Sequence, residues 1–288
     1  MLTHASLKAL FTIALCSASA LSFAALQMDT IAEGPDTPWS VAELPDGGFL
    51  VTERPGGIKH VAPSGEMTEV TGVPQVFVKR QGGLFDVVLH PKFADNNTVF
   101  LAYASGSEDS NRTTVARGVL EGSALSDVNV IFEVTPTKRG GGHFGGRMAF
   151  LTDGTMLLSV GEGYTLREDA QKTGSQLGKL LRMTENGEAP ADNPFADAPY
   201  VYSYGHRNPQ GLIVDAATQS VWMTEHAGTA KARTGAATPR TAVRAVAPPA
   251  AIAARAAAGQ VRGGKRQTSP RGSPSSSGTA KRQRPPAE

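Results

Sequence analysis

Four stretches of the chain share one pattern, and this repetition limits the possible folds more than any single motif. "VAELPDGGFLVTER" (41–54), "MAFLTDGTMLLSVGEG" (148–163) and "LIVDAATQSVWMTEH" (212–226) each run apolar strand, turn, apolar strand and polar end. "DVVLHPKFADNNTVFLAYAS" (86–105) does the same with a longer turn. Asp-Gly between apolar runs is a strong hairpin signal, because such turns need residues that tolerate positive φ. The second strands fall at 49–52, 99–103, 156–160 and 221–224, and helical periodicity is weak outside 173–181. The units recur at intervals of roughly 45 to 65 residues, the range in which propeller blades repeat. A β-sandwich is the alternative. The similar polar ends of the second strands favour radial repetition, which gathers strand ends around one channel. The expectation is an all-β chain, a β-propeller with about four blades between residues 26 and 226. A site in such a fold is assembled from one or two residues per blade.

The two ends read differently. Residues 1–25 have the form of a signal peptide: His4 and Lys8 precede an apolar run at 9–15, and Ala20, Ala24 and Ala25 offer cleavage points. This stretch is too rich in Ser and Ala for a good membrane span, so export to the periplasm or beyond is expected, without stable membrane association. The single cysteine, Cys16, lies inside this leader, which leaves the mature chain no disulfide and no thiolate metal site. The formal charge of +2 hides a strong asymmetry: residues 1–226 hold sixteen Lys/Arg against twenty-five Asp/Glu, and residues 227–288 hold twelve against one. The latter segment contains no Leu, Phe, Tyr, Trp, Met, Asn or Asp. It cannot bury enough apolar surface to offset the entropy of ordering, and reads as a disordered basic tail. A nucleic-acid-binding arm, a solvated linker and a shifted reading frame would each produce such text. The third is favoured because the change falls abruptly inside a motif, and an exported chain is not expected to meet nucleic acid.

Chemistry-bearing residues concentrate in two segments. His143 sits among Gly140, Gly141, Gly142, Gly145 and Gly146. Glycines let backbone approach a ligand closely, and a neutral imidazole is a suitable general base near neutral pH. A histidine that merely satisfies a loop carbonyl would look the same. In "YSYGHRNPQGL" (202–212), His206, Arg207, Asn208 and Gln210 crowd around Pro209. Arg207, a planar cation with several donors, suits carboxylate oxygens, although an unplaced arginine more often makes a surface ion pair. Gln81, ahead of Gly82-Gly83, is a two-way hydrogen-bonder apt for hydroxyls or a plain turn residue. His4, His60, His90, His206 and His226 lack metal-ligand spacing, and no serine elbow, phosphate loop or EF-hand loop occurs.

Four segments occur in order: "RQGGLFDVVLHPKF" (80–93), "GGHFGGRMAFLTDGTMLLSVGEG" (141–163), "LGKLLRMTENGEAPADNPF" (177–195) and "YSYGHRNPQGL" (202–212). Together they resemble the soluble pyrroloquinoline-quinone (PQQ)-dependent aldose sugar dehydrogenases, the glucose/sorbosone dehydrogenase family, over about residues 28–226. The resemblance implies a six-bladed propeller that oxidises the C1 hydroxyl of an aldose to the lactone and passes electrons to a soluble acceptor. It implies that His143 takes the hydroxyl proton while hydride passes to PQQ. Arg207 would face the C5 oxygen of the quinone, Asn208 the adjacent quinone oxygens, and Gln210 would support the cofactor loop. Gln81 would hydrogen-bond the sugar near its reacting carbon. Some family members carry an acid where this chain has Gly142. After "WMTEH" the family pattern continues into a Gly-Pro whose carbonyls hold Ca²⁺; here the residues are Ala227 and Gly228. The expectation is therefore a C-terminally altered chain whose calcium seat and last blades are lost and whose own activity is impaired. The rival reading is a non-catalytic propeller that binds sugars or cell-wall glycans.

Overall fold

A computed structural model describes residues 28–226 and, for backbone only, residues 241–246. The expected signal peptide lies outside these residues, as does most of the expected disordered tail. Among the described residues, fifteen strands form four sheets. Blade 1 is β1 (Pro38–Glu43), β2 (Phe49–Glu53), β3 (Ile58–Val61) and β4 (Met67–Glu69). Blade 2 is β5 (Leu84–Leu89), β6 (Thr98–Gly106), β7 (Asn111–Glu121) and β8 (Ala124–Glu133). Blade 3 is β9 (Met148–Phe150), β10 (Met156–Val160), β11 (Lys179–Met183) and β12 (Val201–Tyr204), and blade 4 is β13 (Pro209–Val214), β14 (Val221–His226) and β15 (Thr241–Val246). Each sheet is an antiparallel meander in sequence order. The first strands touch in succession, β1 on β5, β5 on β9 and β9 on β13. This is the radial arrangement of a β-propeller.

The hairpin signals act as anticipated. Asp46-Gly47 and Asp153-Gly154 turn blades 1 and 3 with glycine φ of 85° and 84°. The longer turn of blade 2 holds a single helical turn, Phe93–Asn96, ended by Asn97 in the left-handed region at φ 49°. The helical periodicity at 173–181 is not realised. A short 3₁₀ helix spans Arg167–Gln171, and Lys179–Met183 is a strand, buried at every position. Gly174 and Gly178 interrupt any helix there, and burial on both faces of the sheet overrides local propensity. β15 lies within the segment read as a tail; its sequence, TAVRAV, has β-branched residues at 241, 243 and 246 and pairs with β14 from Val221↔Val246 to His226↔Thr241.

The core is laid down between blades, because side chains of a strand alternate between its two faces. In β10, Met156, Leu158 and Val160 face blade 2, packing with Phe85, Phe100 and Ala102. Leu157 faces the other way, onto Leu212, Val221 and Met223 of blade 4. A third layer joins Leu50 and Ile58 of blade 1 to Leu84, Val99 and Leu101 of blade 2. The outer faces of blades 1 and 4 leave Val41 (62%), Ile213 (64%) and Trp222 (41%) exposed.

One side chain ties all four first strands together. Arg147, just ahead of β9, donates to Ser40 Oγ (2.8 Å), Asp86 Oδ1 (3.2 Å), the Trp39 carbonyl (3.2 Å) and the Gln210 carbonyl (3.0 Å). Its guanidinium lies 4.2 Å from the centroid of the Trp39 ring. Asp86 is buried, which pushes its carboxyl upward; Arg147, Ser40 and the Met148 N–H work against that shift.

Candidate active site

The blades deliver their expected polar residues to one end of the first strands. Gln81 precedes β5, His143 precedes β9, and Arg207 and Asn208 precede β13. The Gln81 Oε1 accepts the backbone N–H of His143 at 2.7 Å. The Asn208 Oδ1 accepts the N–H of Gly145 at 3.1 Å. The Arg207 carbonyl accepts the N–H of Glu162 at 2.8 Å. Gln81 of blade 2 and Asn208 of blade 4 thus fasten the His143 loop from two sides, and Arg207 fastens the neighbouring Glu162. Gln210 stands apart: its carbonyl serves Arg147, and it lines a cleft of about 420 Å³ between the first strands, beside Ser40, Asp86 and Arg147.

Backbone freedom makes this convergence possible. A Cβ on Gly161 would collide with the His143 carbonyl and come within 2.8 Å of Asn208 Oδ1. Only glycine therefore lets the strand end pass behind the loop. His143 itself is held at φ 50°, a region costly for a non-glycine residue.

The imidazole is buried (4% exposed), and its Nδ1 lies 2.6 Å from Glu162 Oε2. Glu162 was not singled out from sequence. Burial alone would raise its carboxyl, but hydrogen bonds from His143 and the Tyr164 N–H (2.8 Å), with the charge of Arg207, hold it below the usual carboxylate range. An ionised carboxylate cannot donate, so Nδ1 carries the hydrogen and Nε2 of the neutral ring is the basic atom. Glu162 has its second oxygen buried with no hydrogen bond among the described residues.

Asn208 is wholly buried, and its Nδ2 donor likewise has no hydrogen bond among the described residues. Its neighbour Arg207 is half-buried; its N–H is taken by Glu225 Oε2 at 3.0 Å, and its guanidinium makes a long bond, 3.4 Å, to the His226 carbonyl. His206 turns inward instead, its Nε2 2.7 Å from Ser203 Oγ. Lys138 is a second residue missed from sequence. It is buried beneath the His143 loop, donates to Asn111 Oδ1 (2.9 Å), and sits 3.4 Å from the centroid of the Phe144 ring. Burial pushes its ammonium down to about 7, against the opposing pull of Glu162.

Residues 35–231 match the Glucose / Sorbosone dehydrogenase family. The chain belongs to that family. It is 45% identical over 218 residues to the uncharacterized protein slr1608 of Synechocystis, covering 68% of this chain and 53% of the relative. It is 37% identical over 223 residues to the aldose sugar dehydrogenase YliI of Escherichia coli, covering 74% of this chain and 60% of the relative. Among solved structures it resembles the PQQ-bound aldose sugar dehydrogenase of Streptomyces coelicolor, with a TM-score of 0.66 and 34% identity over 77% of this chain and 63% of that one. The chain thus spans about half the length of the curated relatives it matches.

Proposed function

We propose that this chain derives from an exported, PQQ-dependent dehydrogenase that oxidises the C1 hydroxyl of aldoses to the lactone. Electrons would leave through a soluble acceptor. The observation that carries the reading is the His143–Glu162 pair at 2.6 Å. It supplies a base whose free nitrogen can take a hydroxyl proton, and a carboxylate that stabilises the imidazolium as it forms. Gln81, by holding the His143 N–H, fixes that base relative to blade 2.

The donor set fits PQQ, a molecule of carboxylates and quinone oxygens. Asn208 presents a buried amide donor with no hydrogen bond among the described residues, and the Arg207 guanidinium makes one long hydrogen bond among them. These two residues would hold the cofactor, and Arg207 would stabilise negative charge developing on it. When bound, PQQ supplies the acceptor for the hydride leaving C1. The chain's own work is to orient the hydroxyl, remove its proton at Nε2 of His143, and keep Glu162 ionised behind it.

Calcium is the second expected cofactor. Its seat would fall at residues 227 and 228, outside the described residues. Ala227 and Gly228 stand where the family pattern has Gly-Pro, and this leads us to expect poor turnover by the 288-residue chain at any Ca²⁺ concentration. The assay is dye reduction by glucose with PQQ and Ca²⁺, comparing this chain with a chimaera continued after His226 by the C-terminal part of the Escherichia coli relative. In the chimaera, His143→Ala lowers kcat by roughly 10² to 10⁴, the usual range for a positioned base, with little change in PQQ affinity. Arg207→Ala lowers kcat and weakens PQQ. An unaffected His143→Ala variant would overturn the assignment of the base, and full turnover by the unextended chain would overturn the calcium expectation.

A further inference from the structure

Three residues at the mouth of the site share an uncommon backbone, and two of them flank the third, Tyr164. Arg80, His143 and Tyr164 have φ of 52°, 50° and 72°. The Tyr164 ring meets the His143 ring edge-on at 5.1 Å, and the Arg80 guanidinium carbon lies 5.1 Å from the Tyr164 centroid. Non-glycine residues adopt this conformation at a cost, and they persist in it where surrounding structure enforces it. That enforcement is visible. The Tyr164 N–H is held by Glu162 at 2.8 Å, the Arg80 carbonyl by Arg54 Nη1 at 3.0 Å, and the Gln81 N–H by the Gly141 carbonyl at 2.9 Å. Gly142 makes the room: a Cβ there would stand 3.0 Å from that of Tyr164.

The wall so formed has two chemical characters. Tyr164 is 41% exposed, an aromatic surface beside the base. Arg80 is exposed and makes no ion pair among the described residues, whereas its neighbour Lys79 pairs with Glu108. An aromatic surface with an unpaired cation beside it matches a ligand that is apolar along one side and anionic at one end. Resting on the sugar-oxidising reading above, we propose that Tyr164 and Arg80 select the substrate. Tyr164 meets the C–H side of a pyranose whose C1 hydroxyl faces His143, and Arg80 receives a carboxylate at the far end. The site is thereby tuned to hexuronic acids over neutral hexoses.

Binding to the 288-residue chain tests this without any turnover. Calorimetric titration with glucuronate, glucuronamide and glucose should show glucuronate about tenfold tighter than the two neutral sugars, the size of one charge-assisted hydrogen bond. Added salt should narrow that gap. Arg80→Gln should abolish the preference and leave glucose binding unchanged, and Tyr164→Ala should weaken all three sugars. Equal binding of the three sugars by the parent chain, no binding of any of them, or an unchanged preference in Arg80→Gln would overturn the proposal. So would a loss of PQQ affinity in Arg80→Gln with the preference intact, which would assign Arg80 to the cofactor. A retained uronate preference in a chimaera that reduces no dye would instead overturn the dehydrogenase reading alone.

Discussion

Blades 1 and 4 use an acidic residue in one way, and blade 3 uses its counterpart in another. Glu53 ends β2, Glu225 lies near the end of β14, and Glu162 lies two residues beyond β10. Glu53 accepts the N–H of Asp36 at 2.6 Å, and Glu225 that of Arg207 at 3.0 Å. Both donors sit two residues ahead of the first strand of their own blade, so each acid stitches the entrance of its blade to the adjacent strand. In blade 3 the two extra residues carry Glu162 past that point, and it takes an imidazole instead. A framework device, displaced by two residues, becomes part of a proton-transfer pair. Blade 3 also supplies Arg147, so the blade that holds the base is the one tied to every other first strand.

The strongest test of this contrast is removal of the tie itself. Arg147→Met leaves Asp86 buried without its cation, a loss expected to cost about 3–5 kcal/mol of stability, read as a lower urea midpoint. A midpoint within error of the parent would show that the four first strands hold together without it. Next in size, Glu162→Gln in the chimaera should lower kcat roughly 10- to 100-fold, since it removes the charge behind the imidazolium. Its pH–rate profile should also change, which a purely structural loss would not produce.

Glu53→Gln should behave in the opposite way. It weakens one charge-assisted backbone hydrogen bond and should cost about 1–3 kcal/mol of stability, with kcat in the chimaera unchanged. Equal kinetic losses in Glu53→Gln and Glu162→Gln would erase the distinction between the blades. The smallest effect concerns Lys138. Its ammonium is pushed down to about 7 in the folded chain against an ordinary value of 10.5. Between those values the unfolded chain binds the extra proton, so this group makes stability rise with pH above about 7 and penalises the folded state fully below it. Lys138→Met should therefore raise Tm at pH 6 and flatten the rise between pH 7 and 9; an unchanged slope would show that Lys138 is not its source.

Much of this architecture was legible as text. Each expected second strand appears where the repeats placed it, because alternating apolar residues bounded by Asp-Gly have few other ways to bury themselves. Gln81, His143, Arg207 and Asn208 also come together, since each precedes a first strand of its blade and first strands converge. Glu162 was overlooked, although "VTER", "SVGEG" and "MTEH" put an acid near the same place in three units; the flanking glycines of Glu162 were the available signal. Lys138 gave none, because its burial beneath the His143 loop depends on how residues 138–143 fold back. The Arg80–Tyr164 contact was equally hidden, resting on backbone angles that side-chain identity does not favour.

The sequence by itself determined the first hairpin of each blade and the family, because apolar periodicity and turn chemistry are local properties that sum along the chain. Only the tertiary structure decided which acid faces His143, which buried donors make no hydrogen bond among the described residues, and that Arg80 lies beside Tyr164. Those outcomes depend on distances between residues of different blades, down to a two-residue offset at the end of one strand. Hydrophobic burial is indifferent to such an offset, and a hydrogen bond is not.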